Sequence, residues 1–390
     1  MLLFAAVLGV SMTSCALLPK GSSSKPPRTF YRPGTLALAF RLDLTRWSQK
    51  IGQAYEHGQP EIDPVHQRVF VGSSDHGLYA VRAEDGGVIW RFDTLAPVQC
   101  EPRYDEGGDF VYFGSNDGAL YKVRASDGWL IYRFVTHAGV SRRPVLAGKA
   151  AYFTNAEDTL FAIDAATGKL RWTQHGPPAG GAASARHAGA AVIGERVYTG
   201  FSSGVVAGYS LADGKEVMSV DLSLGAEPGS EAAQFLDVDT TPIPARIGAT
   251  DVIFVASHAT GVFALRADDG SRVWSNTNTL GVTDLSLGSD LLLAASALTG
   301  LSALDPNTGR TLWQRALPRG GVSAPVGVMG ALLVSTTEDG LFLFSPLYGA
   351  LIDGFSAGST AMRPAAYGTR AFVMTNDGAL LGLTLHSPSG

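Results

Sequence analysis

Apolar and polar residues alternate in short bursts along most of this chain, and the bursts repeat. In VYFGSNDGALYKVRASDGWLIYRF, which begins at Val111, a run of β-branched and aromatic residues ends in a small one. Asn116-Asp117-Gly118 then makes a hairpin turn, residues 119–123 alternate faces, and Ser126-Asp127-Gly128 leads into a further aromatic-bearing strand. Period-two alternation bounded by Gly, Asp and Asn marks strands joined by tight turns. Similar stretches start at Val69, Ala151, Val197, Ile253 and Leu292; one from Leu332 is degenerate, and AFVMTNDGALLGLTL from Ala371 is cut short. The turn glycines Gly86, Gly128, Gly168, Gly214, Gly270, Gly309 and Gly349 recur 39 to 56 residues apart. A period near 40 with several short strands per unit predicts an all-β fold, a β-propeller, because one twisted sheet cannot bury both faces alone.

Four residues after the turn glycine stands a large side chain: Trp90, Tyr132, Trp172, Trp274 or Trp313. Met218 holds that place in the fourth unit, and Ile352 lies near it in the seventh. A flat ring there is expected to wedge between neighbouring blades, a structural role rather than ligand stacking. The eighth unit ends before its own aromatic strand. LDLTRWSQKIG (42–52), with Trp47, is similar to that missing strand and is expected to pair with the C-terminal blade, closing the ring and covering its edge. Residues 36–390 therefore read as one eight-bladed domain, with seven blades the alternative if residues 332–357 are absorbed elsewhere.

The opening run MLLFAAVLGVSMTSC is apolar and too short to span a bilayer. Met12-Thr13-Ser14-Cys15 resembles a bacterial lipobox, which implies a signal peptide over 1–14, a lipid on Cys15 and a Pro/Ser/Gly-rich basic tether over 15–35. Ala16 after the cysteine fits outer-membrane sorting under the enteric rule, with the domain facing the periplasm.

Composition narrows the chemistry. The net charge of −5 and the lack of a basic stripe argue against nucleic-acid binding. The two cysteines, Cys15 and Cys100, sit in unlike contexts and form no disulfide framework. No histidine pair has metal-ligand spacing, and His187 reads as a surface residue of an inter-unit linker. Asp75, Asp85, Asp117, Asp127, Asp158, Asp269, Asp339 and Asp377 fall in repeat turns, where Asp caps its own backbone. No nucleophile elbow or phosphate-cradling loop is present, so no catalytic residue, metal or cofactor is expected.

The repeat resembles the pyrroloquinoline-quinone (PQQ) type β-propeller repeat across about residues 44–385. That family includes quinoprotein dehydrogenases and non-catalytic scaffolds. A dehydrogenase needs calcium held by carboxylate and amide oxygens beside the quinone, and a carboxylate base. The vicinal Cys-Cys pair and long insertions usual in those enzymes are missing here. Residues 236–242, LDVDTTP, instead resemble a segment of the BamB family of outer-membrane assembly lipoproteins. The resemblance implies that Asp237 and Asp239 face the POTRA domains of the central insertase subunit, BamA. In PPAGGAASARHAGA (177–190), only Arg186 offers a charge comparable to that family's second contact patch. It further implies a monomer within a hetero-complex, serving unfolded outer-membrane proteins without catalysis. A PQQ-dependent dehydrogenase-like or ligand-binding periplasmic propeller is the alternative, and an extracytoplasmic sensor a third reading.

Overall fold

The computed structural model describes residues 35–44, 56–179, 187–225, 235–317, 321–360 and 362–386. Among them lie eight antiparallel sheets of four strands each. Seven are built from consecutive strands: blades 1 to 7 span 61–93, 103–135, 145–175, 191–221, 243–276, 282–315 and 326–355. The degenerate seventh unit is thus a complete blade, and eight is the count. Blade 8 takes three strands from 365–385 and its outer strand, Leu36–Asp43, from the other end of the chain, paired antiparallel to Ala379–Leu385. The short first strands gather around the axis, and Ala365–Tyr367 of blade 8 touches Glu61–Asp63 of blade 1, which completes the ring.

One contact recurs at the seams. Trp90, Trp172, Trp274 and Trp313 each face an alanine of the preceding strand (Ala80, Ala162, Ala264, Ala303), just past a register shift that re-aims the side chain. Each ring then lies on the turn glycine of the next blade. A Cβ on Gly128 would come within 2.9 Å of the Trp90 ring, and one on Gly309 within 2.4 Å of Trp274. These glycines also have φ of +74° and +70°, so backbone and packing both demand them. The indole N–H completes the lock on the carbonyl three residues before that glycine. Trp90 donates to Ala125 O at 2.9 Å, Trp274 to Pro306 O at 2.9 Å and Trp313 to Pro346 O at 2.8 Å. Tyr132 does the same with its hydroxyl, to Ala165 O at 3.3 Å. The buried indole therefore leaves no donor unpaired.

Three seams depart from this pattern. Between blades 4 and 5, Met218 covers Gly270 without a donor, and the Ala267 carbonyl is taken by the Tyr198 hydroxyl and by Arg196 (2.9 Å). The thinner side chains leave an open groove of about 830 Å³ lined by Val220, Leu222, Phe263 and Leu265. In the seventh blade Ile352 occupies the bulge and Asp353 the lock position, opposite Leu343. The reason is topological: blade 8 has no third turn, because there the strand ending at Leu385 meets the one beginning at Leu36. With no glycine to cover, the buried Asp353 carboxylate accepts the Leu36 N–H at 2.8 Å. In the closing strand the lock is Phe40, opposite Gly382 and against Gly86 of blade 1. Trp47, expected to fill that role, lies outside the described residues, and the strand runs six residues earlier than the Trp-centred reading placed it.

Two outcomes follow from the locks. Trp274→Ala should lower unfolding free energy by about 3–5 kcal/mol in urea titration, the usual cost of emptying an aromatic site. Asp353→Ala should strip the Leu36 amide of its acceptor, at about 1–3 kcal/mol. Hydrogen exchange should then speed up over residues 36–43 and 379–385 while blades 2 to 5 stay protected.

Candidate functional site

The two faces of the ring differ in what they carry. On one lie the first turns of the blades and the third turns of blades 1 to 7, all short, with aspartate capping third turns: Asp85 accepts the Gly87 N–H at 2.9 Å and Asp127 the Trp129 N–H at 3.0 Å. On the other lie the hairpins between second and third strands together with the connections from blade to blade. These are tied to one another, Thr94 N to His76 O at 2.9 Å and Val98 N to Ser73 O at 3.0 Å. The longer connections, and with them the 236–242 segment, belong to this second face.

That segment is inlaid rather than draped. Val238 is fully buried against Gly200, and its N–H meets Phe201 O at 3.2 Å. Thr240 Oγ1 accepts the Ala256 N–H at 3.0 Å and donates to Ala256 O at 3.1 Å. Arg142, from the connection between blades 2 and 3, reaches across with Nη2 to Asp239 O at 2.9 Å and with Nε to His187 O. Gly189 N–H donates to Thr241 Oγ1 at 3.0 Å. Three connections are thereby stitched into one platform. Phe235 stands 37% exposed at its edge, in edge-on contact with the His258 ring, and Leu224 is 86% exposed nearby in sequence.

The candidate contact residues do not all lie where a partner can touch them. Asp237 is 1% exposed, so its carboxylate sits beneath the platform and acts on the electrostatics of Asp158 and His258. Burial, with the nearby Asp237 charge, raises the Asp158 pKa, and Asp158 accepts the Ser202 N–H of the next blade at 3.1 Å, so it bridges a seam as well as shaping a turn. Asp239 is half-buried. Cys15 and Arg186 lie outside the described residues. His187, expected at the surface, is buried, 5% exposed beside Arg142. The sequence marked neither the burial of His187 nor the role of Arg142, because the Arg142 contacts to His187 O and Asp239 O span 45 and 97 residues of the chain.

The axis holds a second concentration of charge. A cavity of about 490 Å³ is lined by Glu61, Glu101, Arg103, Arg143 and Arg363 among apolar residues. Arg143 grips Glu61 with both terminal nitrogens, at 2.6 and 2.5 Å, and meets Glu101 at 3.4 Å. Burial, then the neighbouring Arg143 charge, depress the Arg103 pKa. Away from the axis, Asp63, His66 and Asp109 converge to within 4.8 Å, but a guanidinium already sits among them. Arg68 Nε donates to Asp63 at 2.7 Å and its Nη2 to Asp109 at 2.5 Å, a salt link across the seam of blades 1 and 2. Cys100 is buried, and burial pushes its thiol up to about 12, which denies it nucleophilic use at neutral pH. A calcium–quinone pair does not fit these residues: the axial carboxylates are engaged by Arg143, and a hard dication would have to displace it.

A family model described as Outer membrane protein assembly factor BamB matches residues 74–301 and 297–387. No curated protein matches the chain by sequence. Among solved structures, BamB from Moraxella catarrhalis is similar at a TM-score of 0.73 and 16% identity, over 90% of this chain and 100% of that one. The computationally designed Ika8 protein is similar at 0.69 and 12%, over 89% and 99%. Quinohemoprotein alcohol dehydrogenase ADHIIG from Pseudomonas putida HK5 reaches 0.69 at 11%, over 92% of this chain and 77% of that one. At these identities the structural likeness establishes the propeller fold.

The platform makes stability depend on pH. Desolvation, then the Arg142 charge, lower the His187 pKa from 6.5 to about 3. An unfolded chain binds a proton there below about pH 6.5, whereas the folded one resists until far lower. Stability is therefore full above pH 6.5 and erodes as pH falls, by about 2 kcal/mol between pH 7 and pH 5. His187→Gln should flatten that decline in urea melts at the two pH values; equal slopes in variant and parent would remove His187 from the account.

Proposed function

The chain belongs to the family of the outer membrane protein assembly factor BamB, and from that membership we propose that it is a non-catalytic docking scaffold for assembly of outer-membrane β-barrel proteins. On this reading Cys15 carries the lipid, residues 15–35 tether the propeller, and the disc faces the periplasm from the outer membrane. Its partner is the POTRA region of a central insertase, with unfolded outer-membrane proteins as the passing clients.

The observation that carries the proposal is the inlaid platform at 235–242. A loop that must bind another protein normally loses conformational entropy on docking. Here Thr240, Arg142 and Thr241 bear that ordering in the free protein, so the exposed groups are presented already in place. Among the described residues the axial carboxylates are paired and the buried thiol is held protonated, which supports binding over bond-breaking. Asp237 contributes from beneath, by shaping the loop. Asp239 and Phe235 form the side that meets the partner on this reading, and the family resemblance adds Arg186 as a further contact.

Capture of purified POTRA domains by the mature propeller checks the reading. Phe235→Ala with Asp239→Ala should weaken binding at least tenfold, about 1.4 kcal/mol, with melting temperature unchanged. Undiminished capture by that double variant would move the docking surface elsewhere. A melting shift with PQQ that appears only when calcium is also present, and not with PQQ alone, would instead favour the dehydrogenase-like alternative.

A further inference from the structure

We propose that the axial cavity is a binding site for a small anion carrying two or more carboxylate or phosphate groups, held by Arg103 and Arg363 with Arg143 as the fixed wall. The proposal stands apart from the docking role and does not require it.

The accounting of charges in the cavity leads there. Three guanidinium groups and two carboxylates line it. Both carboxylates are spent on one cation: Arg143 holds Glu61 through two hydrogen bonds and Glu101 through a third. Glu61 also accepts the Tyr104 N–H at 3.0 Å, which fixes its orientation and leaves it little freedom to turn to another arginine. Among the described residues neither Arg103 nor Arg363 makes an ion pair, and the buried Nε of Arg103 has no acceptor. A guanidinium nitrogen shut away from water without an acceptor is costly, and proteins keep such groups where something else supplies the acceptor. The depressed Arg103 pKa, from burial and from Arg143, agrees with a place short of negative charge, even with Glu61, Asp105 and Glu101 partly offsetting it.

The geometry also selects the ligand class. An arginine presents a planar fork that matches the two oxygens of a carboxylate or phosphate, and two forks from different blades ask for a ligand with two such groups. Arg103 opens the first strand of blade 2 and Arg363 lies two residues before that of blade 8, so they approach the cavity from either side of blade 1. A volume near 490 Å³ suits a molecule of metabolite size and excludes a folded domain.

Calorimetric titration of the mature protein with citrate, succinate and pyrophosphate, in a buffer free of other oxyanions, tests this. One saturable site is expected, with citrate or succinate above pyrophosphate if carboxylates are preferred and the reverse order if phosphates are. Arg103→Met should weaken the preferred anion at least tenfold and abolish the melting shift it produces, while the ligand-free protein melts no lower than the parent. A structural arginine would behave oppositely, losing stability without ligand. Arg363→Gln should weaken binding in the same direction, and the exposed Arg246→Gln should leave it alone. Absence of saturable binding for all three anions at millimolar concentration, or binding unchanged in the Arg103→Met, Arg363→Gln double variant, would overturn the proposal.

Discussion

An aromatic ring laid over a glycine carries this structure. At each such seam the ring cannot come down unless the next blade offers a residue without a side chain, and the turn beneath cannot form unless that residue tolerates positive φ. Glycine answers both demands at once. The indole N–H then uses a carbonyl that the turn itself leaves open, so the contact buries apolar area with no orphaned polar group. A sheet with two apolar faces becomes stable only through its neighbours, and the lock sets the angle at which they meet.

The seams that break the rule show what it is for. Where blade 8 lacks its third turn, no glycine exists to receive a ring, and a carboxylate takes the backbone N–H that the open end exposes. Closure of the ring thus passes from dispersion to a buried hydrogen bond at the one place where the chain's two ends meet. At the seam of blades 4 and 5 the ring is missing, yet the carbonyl is still paired, by Tyr198 and Arg196. At that seam polar satisfaction is kept while packing is not. That ordering fits the larger penalty for an unpaired buried carbonyl than for a partly filled groove open to solvent.

A disc locked in this way is a stiff support, and both functional proposals draw on that stiffness. The 236–242 platform is held by groups from three connections, so its exposed edge needs little ordering on contact. The axial arginines project from separate blades and keep their distance because the blades do. Among the described residues Arg103 stays without an ion pair for the same reason: it cannot swing to a carboxylate already claimed.

Much of the fold was readable along the chain because its information is local. Alternation, the Asp-Gly turns and the large residue at a fixed offset each occupy a few neighbouring positions, and their recurrence near every 40 residues made the propeller visible. The family resemblance in Asp237 and Asp239 was local too, and it did not tell that one of the two is buried. What depended on residues far apart in the chain was not legible. Phe40 could not be recognised as the closing lock, since its glycines are Gly86 and Gly382. Asp353 looked like part of a degenerate repeat until Leu36 was seen beside it, 317 residues earlier. His187 read as a surface residue because the neighbours that bury it come from other blades. The repeat determines blades by short-range pattern, whereas charge pairing, burial and closure are decided only when the ring brings distant segments to one axis.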